Sequence, residues 1–365
     1  MASRTLPDTG LANSADGQSW GRQADAVFRG GGVQGLALVG ALQAFESHDR
    51  LPVESWVKVA GTSAGAILAS YLAYDRRPGL GGRMREIVDP ELLLSLFDFP
   101  LGRKFLGGMP RLLARRGMAP GKAFERWFDE LIGHATFELA LPADADGVWQ
   151  ESQLKLIACD ATHRRLLVFP EDLVFYRVPG QRSSIDPAAF PIARAVRMSM
   201  SIPYFFEPIY LERIADDAGR PMPPRTAAIV DGGLVSNFPV WLFDKPRPAR
   251  PTFGFTVQGG LGIGEAPHGR LVPWPVRFAF DIFSASREAW DARFASHSTN
   301  VRTVTVETTV VAEDGLPLHI RSWDFALSPA VQEALLENGR RAGKEFLDRF
   351  DPRTHINSFH ATVDG

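Results

Sequence analysis

A serine flanked by glycines is the residue of this chain best suited to covalent chemistry. Ser63 lies at the centre of GTSAG, residues 61–65, which matches the G-x-S-x-G pattern of a nucleophile elbow. The turn from strand to helix in such an elbow is so tight that bulky neighbours would clash, hence Gly61 and Gly65. The preceding SWVKVAG is strand-like and the following AILASYLAY is helical. We therefore predict that Ser63 presents its hydroxyl at a helix N-terminus, where partial positive charge favours an anion.

The glycine-rich stretch FRGGGVQG, residues 28–35, allows three interpretations. Gly30, Gly32 and Gly35 satisfy G-x-G-x-x-G, the dinucleotide-binding fingerprint. That fingerprint needs an acidic residue at the end of the second strand, but this strand ends in Ala60 and Gly61. The second interpretation is an oxyanion hole, in which glycine N–H groups stabilise the charge on a carbonyl oxygen under attack. The third is that the glycines serve only close packing of helix on strand.

A serine nucleophile also needs a base, and an aspartate is the best candidate. Asp231 ends the apolar strand AAIV and is followed by Gly232 and Gly233, which places a carboxylate where α/β active sites gather. A turn or helix-cap role is the alternative for Asp231. Asp160 in IACDAT is a second strand-end carboxylate, which we predict to be structural. No histidine has a recognisable context among the eight, at positions 48, 134, 163, 268, 297, 319, 355 and 360.

Taken together, these motifs resemble the patatin-like phospholipase family. Its glycine-rich loop, its G-x-S-x-G elbow and its D-G-[G/A] motif occur here in order as GGGVQG, GTSAG and DGG. ARAVRMSMSIPYFFEP (193–208) is similar to the family's Ala-Ser-x-Ala-Ile-Pro-x-x-Phe segment, and DGGLVSNFP (231–239) matches D-G-G-x-x-x-N-x-P. The ending SWDFALSPAVQEALLENGRRAGKEFL resembles the C-terminal helix of bacterial members. The resemblance covers roughly residues 25 to 350.

The resemblance implies a three-layer α/β/α fold around a central, mostly parallel sheet. It implies a lipid acyl hydrolase, of phospholipase A or lysophospholipase type, that works through an acyl-serine intermediate without metal or cofactor. Ser63 would be the nucleophile and Asp231 the base of a dyad that needs no histidine. The expected oxyanion hole comprises the N–H groups of the loop glycines, namely Gly30, Gly31, Gly32 and Gly35.

One departure from the family pattern matters for the glycine loop. Gln34 stands where the family usually has arginine or lysine, so any help from a cation in ordering the loop or binding a lipid phosphate is in question. Arg29, directly before the glycines, is a candidate substitute.

Two other function classes remain open at the level of the sequence. One is an α/β-hydrolase esterase with a Ser-His-Asp triad, which is disfavoured because only one βα unit precedes the elbow. The other is a protein without turnover that binds a lipid or a nucleotide.

The order of strands and helices predicts an α/β chain. We expect a flexible leader over residues 1–22, a single domain over 23–350 and a tail over 351–365. Loops are expected at GRPMPPRT, KPRPARP and QGGLGIGEAPHG, and a final helix is expected after the cap Ser328. LLLSLFDFPLGRKFL, with Phe97, Phe99, Phe105 and the Arg103–Lys104 pair, is a candidate for lining an acyl pocket or for transient membrane contact, with a core role as the alternative.

Composition narrows the class of partner. The chain has 365 residues, of which 45% are hydrophobic, so a large core can form. With 40 basic and 42 acidic residues the net charge is −2, which gives no reason to expect a nucleic-acid partner. The single cysteine, Cys159, cannot form an intrachain disulfide and is predicted to be a core thiol. No signal peptide or transmembrane segment is evident, so we expect a cytoplasmic, bacterial protein.

Overall fold

The computed structural model describes residues 22–75, 80–96, 98, 115–140, 152–245, 248, 250–258, 301–311, 315–322 and 324–351. Its α-helices are α1 (Gly35–Ser47), α2 (Ala64–Tyr74), α3 (Leu80–Ile87), α4 (Pro90–Ser95), α5 (Lys122–Leu131), α6 (Ile192–Ser199) and α7 (Pro329–Arg349). Its strands are β1 (Gln23–Phe28), β2 (Ser55–Thr62), β3 (Gly117–Ala119), β4 (Leu154–Asp160), β5 (Arg165–Phe169), β6 (Tyr176–Arg177), β7 (Tyr204–Phe206), β8 (Ile209–Ala215), β9 (Pro221–Asp231), β10 (Thr252–Gln258), β11 (Thr303–Glu307), β12 (Thr309–Val311) and β13 (Pro317–His319).

The main sheet has the strand order β11-β10-β1-β2-β4-β9-β8-β6. Strands β11, β10, β1, β2 and β4 run parallel, so their carboxyl ends meet at one edge of the sheet. Beyond β4 the pairing becomes antiparallel. Because parallel strands need crossovers, β1 connects to β2 through α1, and β2 leads into α2. The expected α/β fold with a central, mostly parallel sheet is confirmed.

Strand β4 has different neighbours along its length. Leu156 and Ile157 pair with β2 and also with β5, so β2 and β5 lie on opposite edges of β4. Further along, Ala158 and Cys159 pair with β5 and with β9, so β9 also lies opposite β5. Strands β2 and β9 therefore share one edge of β4, one after the other.

The two faces of the parallel strands are covered by different layers. The larger core cluster joins Ala26 and Phe28 of β1 to α1, α2 and α7. The alternate residue Val27 packs with Ala60 against the 3-10 turn Val240–Phe243. This alternation follows from the strand period of two, in which neighbouring side chains point to opposite faces. Among the described residues, no helix has both the length and the apolar character needed to cross a bilayer.

The structure corrects one predicted loop. GRPMPPRT was expected to be a loop because it contains three prolines, but β9 begins at Pro221 and its first half pairs with β8. Only Ile229, Val230 and Asp231 at its other end pair with β4. Pro223 and Pro224 lie at an irregularity in the β8–β9 register, and proline is tolerated there because no ladder hydrogen bond depends on its missing N–H.

Several other predictions fall wholly or partly outside the described residues. These are the leader except Arg22, the tail after Asp351, QGGLGIGEAPHG after Gln258, part of KPRPARP, and the residues Phe97, Phe99, Arg103, Lys104 and Phe105. The final helix is confirmed as α7, and the Ser328 hydroxyl accepts a hydrogen bond from the N–H of Val331 at 3.4 Å.

Candidate active site

Ser63 and Asp231 meet at the shared edge of β4. The last residue of β2, Thr62, pairs with Ile157, and Asp231 pairs with the next residue, Ala158. Because β2 is parallel and β9 antiparallel to β4, their carboxyl ends approach each other head to head. The residue after β2 is Ser63 and the last residue of β9 is Asp231. The topology therefore brings the predicted nucleophile and the predicted base together.

The backbone at Ser63 has the strained geometry of a nucleophile elbow. Its φ is 55° and its ψ is −123°, a conformation that residues with a Cβ rarely adopt. A Cβ on Gly61 would lie 2.1 Å from the carbonyl oxygen of Gly65, and one on Gly65 would lie 2.3 Å from that of Phe28. No other side chain fits at these two positions. The sequence motif thus corresponds to a real steric requirement of this turn.

The glycine loop lies directly beside the elbow. A Cβ on Gly30 would be 3.1 Å from the Cβ of Ser63 and 2.5 Å from Oδ1 of Asn237. The N–H of Gly30 donates to the carbonyl of Asn237 at 3.1 Å, and Nδ2 of Asn237 donates to the carbonyl of Gly30 at 3.2 Å. The Thr62 hydroxyl also donates to the carbonyl of Ser236 at 3.0 Å. The three sequence motifs therefore converge at one place.

The hydrogen bonds narrow the predicted oxyanion hole and correct it at two glycines. The N–H of Gly30 is used by Asn237, and that of Gly35 donates to carbonyls within the turn Gly32–Gln34. These two glycines therefore serve packing and helix initiation. Among the described residues, the N–H groups of Gly31 and Gly32 donate to no protein acceptor. They are therefore the loop donors still available for the predicted oxyanion hole.

The carboxylate of Asp231 is buried at the end of β9, with the residue 1% exposed. Its Oδ1 accepts a hydrogen bond from the N–H of Gly233 at 2.7 Å, which orients the carboxylate at the start of the turn. A Cβ on Gly232 would lie 2.3 Å from the carbonyl oxygen of Ile157, so this turn packs tightly on β4. The glycines of the DGG motif thus let the turn lie against β4 and fix the orientation of the carboxylate.

Comparison with known proteins identifies the family. A model described as patatin-like phospholipase matches residues 26–244, more than half of the chain. The chain belongs to the patatin-like phospholipase family. The resemblance drawn from the three motifs is therefore confirmed, and the family supports lipid hydrolysis as the general activity.

Other similar proteins align with most of this patatin-like chain. The protein named Uncharacterized protein YqhO, from Bacillus subtilis (strain 168), is 36% identical over 329 residues, covering 89% of this chain and 98% of that protein. VipD from Legionella pneumophila is similar in structure, with TM-score 0.41, 16% identity, and coverage of 89% of this chain and 66% of that one. The ExoU–SpcU complex from Pseudomonas aeruginosa is similar in structure with TM-score 0.41 and 15% identity, and the match covers 90% of this chain and 52% of that one. The chain thus spans about half to two thirds of those solved chains.

Gln34, which departs from the family pattern, holds the glycine loop to a distant segment. The residue is 4% exposed, and its Nε2 donates to the carbonyl of Ile320 at 2.8 Å and to the Thr308 hydroxyl at 3.4 Å. Its Oε1 accepts from the Ser322 hydroxyl at 3.2 Å. The Ser322 carbonyl in turn accepts from the N–H of Val33 at 3.1 Å. Gln34 therefore orders the loop through neutral hydrogen bonds.

Arg29, the candidate substitute for the missing cation, also contacts the backbone. Its Nη1 donates to the carbonyl of Val257 at 2.6 Å, at the carboxyl end of β10. This contact links the loop to the neighbouring strand. A role for Arg29 toward lipid phosphate stays a prediction.

The described histidines lie in other hydrogen-bond networks. His48 contacts Asp348 at 3.3 Å and His134 contacts Asp129 at 2.7 Å, while His319 lies 3.1 Å from the Thr309 hydroxyl. His163 contacts Asp160 at 2.7 Å. The other four, His268, His297, His355 and His360, lie outside the described residues. No group of three or more His, Cys, Asp or Glu suited to a metal ion occurs in the described part of the chain.

Asp160 and Cys159 have structural surroundings. The Asp160 carboxylate is fully buried and accepts hydrogen bonds from the Tyr176 hydroxyl at 2.9 Å and from the N–H groups of Thr162 and His163. Burial, with the nearby charges of Asp160 and Asp231, raises the pKa of the Cys159 thiol to about 12. The thiol therefore stays protonated at neutral pH and cannot serve as the nucleophile.

Two site residues were not singled out from the sequence, although both lie in segments that carried the family resemblance. Asn237 is the asparagine of DGGLVSNFP and binds the glycine loop. Ser199, in ARAVRMSMSIPYFFEP, accepts a hydrogen bond from the N–H of Ser63 at 3.0 Å. In both cases the available signal was a polar residue next to apolar residues in a segment that resembles a family motif.

Proposed function

We propose that this protein is a lipid acyl hydrolase that cleaves fatty-acyl esters of phospholipids or lysophospholipids through an acyl-serine intermediate. Ser63 is the nucleophile and Asp231 the base in this proposal. The observation that carries it is the head-to-head approach of β2 and β9 along one edge of β4. The strand with the buried carboxylate at its end thereby meets the strand that is followed by the strained serine.

The residues provide each step of a two-stage acyl transfer. Asp231 takes the proton from the Ser63 hydroxyl as Oγ attacks the ester carbonyl, and the carbonyl oxygen becomes an oxyanion. The N–H groups of Gly31 and Gly32 stabilise that charge at the start of α1. Asp231 returns the proton to the departing alcohol, which leaves acyl-Ser63. Water then attacks the acyl group with Asp231 again as base, and the fatty acid departs as Ser63 regains its proton.

The test compares two carboxylates at the ends of neighbouring strands. The purified chain is assayed on phosphatidylcholine and lysophosphatidylcholine in mixed micelles, and on p-nitrophenyl butyrate. Ser63→Ala and Asp231→Asn are each expected to lower kcat by a factor on the order of 10³ or more. Asp160→Asn is the matched control, because Asp160 is also a buried strand-end aspartate but contacts Tyr176 and His163. It is expected to retain kcat in the folded fraction.

Specific outcomes would favour the other function classes. Turnover by folded Ser63→Ala would rule out the acyl-serine mechanism. Loss of turnover in a folded His268→Ala or His297→Ala variant would indicate a triad. A folded wild-type chain that hydrolyses no acyl ester and resists a fluorophosphonate probe at Ser63 would indicate a binding protein without turnover.

A further inference from the structure

The hydroxyl of Ser199 lies between the elbow and β4. Ser199 is the last residue of α6 and is fully buried. Its Oγ donates to the carbonyl of Ile157 at 2.6 Å and accepts from the N–H of Ser63 at 3.0 Å. A hydroxyl has one proton, so donation to Ile157 directs a lone pair toward Ser63. Ile157 is the β4 residue that pairs with the last residue of β2.

The same short segment also contacts Asp231, the proposed base. Two residues after Ser199, the carbonyl of Ser201 accepts a hydrogen bond from the N–H of Asp231 at 2.9 Å. Residues 199–201 therefore contact the backbone of both Ser63 and Asp231. The position of Ser63 relative to Asp231 therefore depends on this segment as well as on β4.

A buried arginine fixes that segment in place. Arg197 is 1% exposed, and its Nη1 donates to the Ser201 hydroxyl at 2.6 Å. Its Nη2 donates to the carbonyls of Pro120 at 2.9 Å and Glu207 at 3.1 Å, and its guanidinium lies 4.5 Å from the ring centre of Phe206. These contacts anchor α6 to neighbouring segments on both sides. The end of α6 is thus held to other segments of the chain by the Arg197 side chain.

We propose that Ser199 is a positioning residue for the nucleophile, and that residues 199–201 set the placement of Ser63 relative to Asp231. This inference rests on the proposed function. The N–H of Ser63 belongs to a strained residue, and the Ser199 hydroxyl is its acceptor, so removing the hydroxyl lets the elbow relax. Proton transfer and attack need close alignment, and a shift of about 1 Å lowers the rate on the order of 100-fold. Ser199 is fully buried and is not expected to contact the substrate, so KM is expected to change little.

The experiment compares removal of two buried serine hydroxyls in the full chain, after hydrolysis of p-nitrophenyl butyrate by the wild type is established. Ser199→Ala is expected to lower kcat on the order of 10- to 100-fold. KM is expected to stay within about twofold of the wild-type value. The rate of Ser63 labelling by a fluorophosphonate is expected to fall in parallel with kcat.

Two further variants separate positioning from folding. Ser152→Ala removes another buried hydroxyl, which donates to the carbonyl of Leu154 at the amino end of β4, and is expected to retain kcat within about twofold. Ser199→Cys keeps one donor and one acceptor at this position, although its sulfur is larger and a weaker acceptor. It is expected to have an intermediate kcat, which decides the question if Ser199→Ala fails to fold.

The outcomes have distinct meanings. A kcat for folded Ser199→Ala or Ser199→Cys equal to that of the wild type overturns the inference, and so does an equal loss in Ser152→Ala. A loss confined to the Ser199 variants at unchanged KM supports it. A wild-type chain without any ester hydrolysis refutes the proposed function, a result separate from any difference between variants.

Discussion

Gln34 replaces the cation of the family pattern with a neutral amide that is both donor and acceptor. Its donor nitrogen contacts the carbonyl of Ile320, and its acceptor oxygen contacts the hydroxyl of Ser322. The site is buried, so a charged side chain there would lose its hydration shell. At this residue the chain uses neutral hydrogen bonds to order the loop that carries Gly31 and Gly32.

The substitution Gln34→Glu tests that role. A carboxylate cannot donate to the Ile320 carbonyl, so the free energy of unfolding is expected to fall by about 1–3 kcal/mol at pH 8. Burial favours the protonated carboxyl, which can donate, so the loss is expected to shrink as the pH is lowered toward 5. Urea denaturation followed by circular dichroism at both pH values measures the effect.

Gln43→Glu is the matched control for Gln34→Glu. Gln43 lies on α1, the helix that begins directly after Gln34, and its Oε1 accepts from Nε of Arg340 at 2.8 Å, a contact that a carboxylate preserves. Its free energy of unfolding is expected to stay within about 0.5 kcal/mol of the wild-type value. Equal losses in the two variants would mean that the donor nitrogen of Gln34 is not what holds the loop.

At the scale of elements, helices α1 and α7 cross at very short distance. A Cβ on Gly40 would lie 2.0 Å from the carbonyl oxygen of Leu336, and one on Gly339 would lie 2.1 Å from that of Ala37. Near the end of α1, Phe45 stacks on Phe346 of α7 with ring centres 5.8 Å apart. Glycine is unfavourable in a helix interior, so its presence on both helices reflects this crossing.

Gly339→Ala is expected to destabilise the protein although alanine is the better helix former. The added methyl group has no space against α1, and overpacking of this kind costs about 1–3 kcal/mol. Chemical denaturation of the variant and the wild type measures the change in the free energy of unfolding.

Gly35→Ala provides the comparison for Gly339→Ala. Gly35 begins α1, and a Cβ there would meet only ordinary contacts, with Val88 at 3.9 Å and Ala64 at 4.0 Å. Its stability is expected to equal or exceed that of the wild type. A Gly339→Ala variant as stable as Gly35→Ala would show that the two helices separate freely at their crossing.

At the scale of the whole molecule, the sheet extends beyond the segment that matches the family. Residues 26–244 match the family model, but β10, β11 and α7 follow that segment. Strand β10 pairs with β1, and the N–H of Arg29 donates to the carbonyl of Phe255 at 3.0 Å. The glycine loop therefore has a neighbouring strand that comes from the last third of the chain.

A chain that ends at residue 245 is expected not to fold cooperatively. Loss of β10 and α7 exposes the backbone edge of β1 and the apolar surface of α1, and it removes the partners of Gln34. Circular dichroism and urea unfolding of the soluble fraction measure this. The control ends at residue 351 and is expected to unfold like the full chain. A cooperative transition in the shorter chain would show that the matched segment folds alone.

The sequence predicted most of the parallel strands and their helices because each has a local signal. Thr62, Ser63 and Ala64 stand where an apolar strand pattern changes to a helical one, and both elements formed there. Strand β9 was predicted only in its apolar second half, because the three prolines of its first half are typical of a loop. The pairing of that half with β8 is a contact between strands, which local propensity does not encode.

The types of the proposed reacting groups were predicted from the sequence alone. Ser63 in its glycine-flanked turn, the glycine loop and the strand-end Asp231 follow from local steric and conformational requirements. Only the tertiary structure decided that β9 ends head to head with β2 on β4, that Ser199 and Ser201 bridge the two residues, and that Gln34 binds Ile320. The physical reason is that these are contacts between distant segments, which depend on strand order and packing that no local pattern specifies.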